Sequence, residues 1–272
     1  MRYSVLLPAH RDDDYLAQAV ASVEEAMSGD DAELIIIANG PAREAIVARY
    51  GGAHAPPSRR VLVRELPSLV HALNTGLEAS RGEYIARMDS DDLVLPGRFA
   101  AQVERLDSGD IDFLFMRVRY ITGGGERSEV RERSWPRFPH LDFRPIHPTA
   151  MIRRGALIEL GGYGNIELGE DRHLWLAALA RGYRFDRLDQ EGIAYRLHPG
   201  QSTAEHNRIS GRATLLGLDL SHTLRTGRWR LLWHCLLLGA LYVRAHLKAA
   251  MSPSVRQRAP QGHQAEELAR GE

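Results

Sequence analysis

A single cysteine, Cys235, stands among 272 residues. That excludes an internal disulfide framework and any metal site built from several thiolates, and it fits a reducing compartment. Charge of one sign is not in excess either. Thirty-five acidic residues balance thirty-five basic ones, so no global field calls for nucleic acid as a partner, and any charge argument has to be local. Long hydrophobic runs are missing as well. The N-terminal "MRYSVLLPAH" has one arginine and a short apolar run closed by Pro8, too short for a signal-peptide core or a membrane span. The expectation is a protein that folds from its first residues and stays in the cytoplasm.

What is present suits a substantial core. With 44% hydrophobic residues, the chain can build one large α/β domain with an appendage, or two small domains. Short apolar runs alternate with helical patterns in the first hundred residues: "YSVLLP", a helix near 14–27, "ELIIIAN", a helix near 41–50, "RVLVREL", a helix near 68–80, and "EYIARMD". Runs such as Leu34 to Ile37 are apolar on both faces, which suits strands buried between helix layers in a largely parallel sheet. Ligands of such sheets bind beyond the carboxyl ends of the strands. Those ends here are Pro8, Ala9 and His10, then Asn39 and Gly40, then Asp89 to Asp92.

Beyond Pro96 the pattern predicts a helix to about Leu106. A hairpin follows, with "DFLFMRVRYI" and "RSEVRERSW" joined by Gly123, Gly124 and Gly125. The glycine triplet reads as a turn, because a phosphate cradle would need a helix after it. "GGYGN" at 161–165 is weak as a dinucleotide motif, since no strand precedes it. A helix near 169–181 carries Leu174, Trp175, Ala178 and Leu179 at helical spacing. Between Asp219 and Glu266 there is no acidic residue, while arginines recur around the thirteen-residue apolar stretch "LLWHCLLLGALYV". A span needs roughly 20 residues. Two readings of this helix stay open: burial against protein, or a position on an anionic membrane surface with arginines at the head groups. The last dozen residues read as a disordered tail.

Asp89 and Asp91 lie two apart in an extended segment, so their side chains point the same way. Crowded carboxylates repel, and such a strand end suits a hard cation, a hydroxyl-rich ligand or a solvated loop. Glu170 and Asp171 at a helix start are explained equally by the preference of acids for a helix N-terminus.

The blocks "VLLPAHRDDDYLAQAVASV", "ELIIIANG", "ALNTGLEASRGEYIARMDSDD", "HPTAMIRRGALIELGGYGNIELGEDRHLWLAALARGYRF" and "YRLHPGQST" resemble, in order and spacing, the family 2 glycosyltransferases. These are inverting enzymes with the GT-A fold, a Rossmann-like, mainly parallel mixed sheet flanked by helices. The resemblance covers roughly residues 1–205. It implies a nucleotide-sugar-binding half near 1–100 and an acceptor-binding half near 101–205; the change in composition beyond marks a basic and apolar helical extension over 206–258 and a tail over 259–272.

The resemblance further implies Mg²⁺ or Mn²⁺ bridging the diphosphate of a nucleoside diphosphate sugar, with the developing negative charge neutralised by the cation. It makes Asp91 the metal ligand, with Asp89 and Ser90 near the ribose hydroxyls or a metal-bound water, Asp92 as an orienting neighbour, and His198 approaching metal or diphosphate from the far side. Pro8, Ala9, His10 and Asn39 border the nucleotide. Asp171 corresponds to the base that takes the acceptor proton, with Glu170, His147 and Trp175 on the acceptor side. Arg196 is a further candidate for phosphate.

Two departures stand out. The family's second strand usually ends in two aspartates, and here Ala38 and Asn39 occupy those places. Asparagine keeps one acceptor oxygen and adds donors, so uracil or thymine is expected, with guanine left open. Ser68 replaces a commoner glycine. The membrane spans and RW-containing motif of processive synthases are absent, which favours single-sugar addition. The activity implied is transfer of one hexose-type unit to a glycan or lipid-linked acceptor of the cell envelope, at the cytoplasmic membrane face. A catalytically silent nucleotide-sugar-binding scaffold is the alternative. A nucleotidyltransferase would need a glycine- and basic-rich loop after the first strand, and "LPAHRDDDY" is acidic there. The oligomeric state, a homo-oligomer included, is left open.

Overall fold

The computed structural model describes residues 1–129, 138, 141–166, 168–200, 209–227, 236, 239–240 and 243–244. Among the described residues eight strands form one sheet: β1 (Tyr3–Ala9), β2 (Ala32–Asn39), β3 (Arg59–Arg64), β4 (Tyr84–Arg87), β5 (Leu93–Val94), β6 (Phe113–Thr122), β7 (Met151–Arg153) and β8 (Phe185–Leu197). Their order is β3-β2-β1-β4-β7-β6-β8-β5. The first four run parallel, and β7 enters antiparallel to both β4 and β6.

Helices cover both faces. Alternate residues of β2 show why, since Leu34, Ile36 and Ala38 join one core with Leu16, Val20 and Val23 of α1 (Asp14–Ala26) and Ile46 of α2 (Arg43–Tyr50). Phe99 and Leu106 of α4 (Arg98–Asp107) complete that side. Ile35 and Ile37 point the other way, into a core with α3 (Leu69–Ala79), α5 (Arg154–Leu160) and α6 (Glu170–Ala180). Side chains alternate across a strand, so a run apolar at every position requires this two-sided cover.

Local chemistry sets the helix starts. Asp13 caps α1 by accepting from the Leu16 N–H at 3.0 Å, which accounts for one of three consecutive aspartates. Gly97 and Gly169 precede α4 and α6 with φ of 79° and 85°, the left-handed region that favours glycine. A further helix, α7 (Ile209–Thr226), packs on α6.

The expected hairpin begins as read, and β6 has a further partner that was not expected. Gly123 to Gly125 do make a turn, with Ile121 bridged to Arg127 and the Ser128 N–H on the Tyr120 carbonyl. The main partner of β6, however, is β8, parallel along the whole of β6 from Phe113 to Thr122. That strand, some seventy residues further on, aligns Phe113 and Phe115 with Phe185, stacked at 4.7 and 6.0 Å. The rest of the expected second hairpin strand lies outside the described residues. So do most of the apolar stretch 231–243 and all of the tail. Among the described residues, no helix is long and apolar enough to cross a membrane.

Candidate active site

Strand order reverses at β1, which has β2 on one side and β4 on the other. Crevices at the carboxyl ends of strands form at such switch points. Pro8 and Ala9 close β1 there and are buried, His10 follows and is exposed, and Asn39 closes the neighbouring β2. One strand over, β4 delivers Asp89, Asp91 and Asp92, each offering a carboxylate oxygen within 4.8 Å of the others. Ser90 lies between them, partly exposed.

Two buried guanidinium groups make this crowding tolerable. Arg87, 5% exposed, pairs with Asp89. Burial opposes its charge, but the Asp89 carboxylate holds its pKa above the ordinary arginine value. Arg98 is wholly buried and bonds backbone instead: Nη2 donates to the carbonyls of Arg87 and Pro148, both at 2.9 Å, and Nε to Gln102 Oε1. Burial and the neighbouring Arg87 lower its pKa to about 9, which leaves it charged at neutral pH. Through it the end of β4 is tied to the turn at His147–Thr149. Asp92 is also fully buried; Oδ1 accepts from the Arg196 N–H at 2.8 Å and Oδ2 has no partner. Burial, then the charges of Asp89 and Asp91, lift its pKa well above the carboxylate range.

His198 meets Asp91. Its Nδ1 accepts from the Gly200 N–H at 3.2 Å, which leaves Nε2 to donate to Asp91 Oδ2 at 2.9 Å. The geometry makes His198 an orienting partner of Asp91. To ligate a metal through Nε2 it would have to give up that proton. Arg196 is corrected as a phosphate candidate. It is 1% exposed, with Nε on the Asp91 carbonyl, Nη1 on the Gly123 carbonyl and Nη2 on Gln18, and it stacks 4.5 Å over Tyr15. It clamps the glycine turn to the acidic loop. Five donors in a fixed fork suit that backbone role.

In the turn before β7, His147, 7% exposed, faces the Tyr163 hydroxyl at 3.0 Å through Nε2 and Glu170 at 3.6 Å through Nδ1. The approach of Glu170 would normally favour imidazolium. Burial and the Arg87 charge outweigh it and drive the His147 pKa down to about 3, against opposing pulls from Asp171 and Asp89. His147 thus feels carboxylates from both halves of the site. Trp175 is placed behind it, 1% exposed and edge-on at 5.7 Å, with Phe113, Phe115 and Phe185 around it. Its ring belongs to the core and bears on the site through His147. Asp171, half-buried, accepts from the Arg172 N–H at 2.6 Å.

Asn39 and Ser68, the two departures from the expected pattern, meet. Asn39 is 5% exposed, its Nδ2 donates to the Ser68 carbonyl at 3.4 Å, and its Oδ1 lacks a partner. Ser68 caps α3 through the His71 N–H. Sequence reasoning missed Arg87 and Tyr163. A charged residue inside the apolar strand "YIAR" was a signal for the first, because unpaired buried arginine is costly. Tyr163 lay in "GGYGN": Asn74 brackets its backbone, Oδ1 accepting its N–H at 2.8 Å and Nδ2 donating to its carbonyl at 2.9 Å. At Gly162, with φ 74°, a Cβ would come within 2.5 Å of Asn74 Oδ1.

Solved structures share this architecture. The crystal structure of S. aureus TarS 1-349 in complex with UDP-GlcNAc aligns with a TM-score of 0.64 at 17% identity, over 91% of this chain and 73% of that one. The mannosyltransferase PcManGT from Pyrobaculum calidifontis in complex with GDP-Man and Mn²⁺ aligns at 0.63 and 16%, over 94% and 78%. The fold is that of the GT-A glycosyltransferases. Residues 4–161 match the model of glycosyl transferase family 2, and the chain belongs to that family, as a glycosyltransferase. Its relatives include the O-antigen biosynthesis glycosyltransferase WbnJ of Escherichia coli, 30% identical over 204 residues (72% of this chain, 79% of the relative). Another, from the same species, is the UDP-Gal:alpha-D-GlcNAc-diphosphoundecaprenol beta-1,3-galactosyltransferase, 27% identical over 207 residues (70% and 72%).

Proposed function

We propose that the protein is an inverting, metal-dependent glycosyltransferase that moves one sugar from a UDP- or dTDP-sugar to a glycan or lipid-linked acceptor in envelope polysaccharide synthesis. The observation that carries this reading is the convergence of Asp89, Asp91 and Asp92 at the end of β4, with carboxylate oxygens within 4.8 Å of one another. Hard oxygen donors at that spacing fit Mg²⁺ or Mn²⁺, with Asp91 and Asp89 as the accessible ligands. Such an ion, when bound, neutralises charge on a leaving diphosphate.

The chain's own residues do the rest. Asn39 Oδ1 is a buried acceptor without a partner, a state that costs about 1–3 kcal/mol. The imide N–H of uracil or thymine would relieve it, and the N–H of guanine offers the same group. Asp171 takes the acceptor hydroxyl proton as the new bond forms, because a carboxylate cannot ionise so weak an acid in advance. One base and a single displacement invert the anomeric centre. Glu170 and His147 border Asp171, and the neutral His147 can orient a hydroxyl without adding charge. The lipid-linked acceptor is supported by the diphosphoundecaprenol named for one relative. A place at the cytoplasmic membrane face is supported by the arginines flanking the apolar stretch 231–243.

The test is transfer from labelled nucleotide sugars with Mn²⁺ or with chelator, together with thermal shift, since a ligand of the folded state raises its stability by mass action. Asp91→Asn is expected to lose the Mn²⁺-dependent stabilisation by donor. Asp171→Asn is expected to keep it and lose about 10²–10⁴ in turnover. Unchanged turnover in Asp171→Asn would sink the assignment of the base, whereas donor binding with no turnover in the unaltered protein would favour a binding scaffold.

A further inference from the structure

Helix α7 touches the start of α6 on both sides of Asp171. Before it, Gly169 sits under α7 so closely that a Cβ would meet Leu215 Cδ2 at 3.0 Å and Leu218 Cδ1 at 3.2 Å. After it comes Arg172, whose backbone N–H donates to Asp171 Oδ1 at 2.6 Å. The guanidinium of the same residue grips Asp219 of α7 with two prongs, Nε to Oδ1 at 2.7 Å and Nη2 to Oδ2. Asp219 is wholly buried and the Arg172 side chain 13% exposed. The guanidinium also lies 4.9 Å over the Phe138 ring.

We propose that Asp219 is a positioning residue for the acceptor-side base: by fixing Arg172 and the first turn of α6, helix α7 holds the Asp171 carboxylate in the orientation that receives the proton. The proposal rests on the reading of Asp171 as base. It makes α7 part of the catalytic machinery, although the helix lies beyond the segment that matches the family model. A bidentate pair suits this use. Buried ion pairs add little stability over well-packed apolar replacements, and what they fix is geometry.

The test uses the full chain and needs no acceptor. Release of nucleoside diphosphate from UDP-, dTDP- and GDP-linked hexoses is followed with water as the attacking hydroxyl. Hydrogen exchange of the peptide containing Asp171 and Arg172 is measured alongside. Variants are Asp171→Asn, Asp219→Asn, their combination, and the double replacement Arg172→Leu with Asp219→Leu, which keeps α7 packed without the pair. The expected result is a fall in kcat of about tenfold or more in Asp219→Asn and in the leucine pair, with donor KM nearly unchanged and faster exchange at the start of α6; the melting temperature falls in Asp219→Asn, which leaves the Arg172 charge without its carboxylate, and stays nearly unchanged in the leucine pair. The combination should be no slower than Asp171→Asn alone, because the effect of Asp219 passes through Asp171. A leucine pair with wild-type kcat and exchange overturns the proposal. So does an equal loss from Asp219→Asn in both backgrounds. Wild-type kcat in Asp171→Asn removes the base reading instead, and the exchange measurement still reports whether α7 orders that turn.

Discussion

Replacing His147 with glutamine should flatten the acid limb of the stability curve. In the folded protein the imidazole is 7% exposed. Burial, with Arg87 nearby, lowers its pKa to about 3, against about 6.5 for an exposed histidine. Above about pH 6.5 the group is neutral in both states and its proton binding contributes nothing to the balance. Below that, the unfolded chain takes up a proton that the folded one refuses, so stability is lost progressively as pH falls toward 3. Each unit is worth about 1.4 kcal/mol, so the loss at pH 5 is about 2 kcal/mol, a large share of the 5–15 kcal/mol typical of a domain. Glutamine can still face Tyr163 and Glu170 but does not titrate. The assay is urea unfolding of both proteins between about pH 7.5 and pH 5. Subtracting one curve from the other cancels the carboxylates they share. The glutamine variant starts lower by a constant amount, about 1 kcal/mol for an imperfect hydrogen bond, and the gap should close or reverse on acidification. A difference that stays constant with pH would refute the placement of a neutral, buried imidazole.

Three further outcomes are expected. At Gly82 a Cβ would lie 2.4 Å from the Ser4 nitrogen and the Tyr3 carbonyl carbon, backbone that cannot swing aside, so Gly82→Ala should lower unfolding free energy by about 3 kcal/mol. Gly217→Ala, where nothing lies within 4 Å on helix α7, should instead be neutral or raise it by up to about 1 kcal/mol; equal denaturation midpoints for the two would contradict the packing of β4 on β1. Asn39→Asp keeps the acceptor oxygen but exchanges the Nδ2 donor to the Ser68 carbonyl for a second acceptor facing it. Binding of UDP by calorimetry should therefore change, whereas with the donor bond irrelevant the affinity would stay put.

The first hundred residues were legible because their chemistry is local. Strands apolar on both faces, a capping aspartate and a proline after the acidic cluster each constrain a few neighbouring residues, and the observed elements differ from the expected ones by a residue or two, apart from the short β5, whose pairing with β8 is long-range and was not expected. What the sequence hid is long-range. The pairing of β6 with β8 stacks aromatic residues some seventy positions apart, while the glycine triplet advertises a nearer partner. Arg196 looked like a phosphate ligand because a basic residue beside an acidic cluster has two chemically sound uses. Only the burial of its guanidinium among the carbonyls of Asp91 and Gly123 decides between them. The acidic strand end itself follows the same logic. The clustering of Asp89, Asp91 and Asp92 was visible, but its tolerance depends on Arg98, six residues beyond Asp92, turning back beneath the strand to bond the carbonyls of Arg87 and Pro148. The carboxylate cluster is therefore supported from beneath by a buried arginine that bonds backbone and does not take up the carboxylate oxygens. Arg87, by contrast, does pair with Asp89. Of the two partly exposed carboxylates, Asp89 is thus held by a buried guanidinium and Asp91 by the Nε2 of an imidazole.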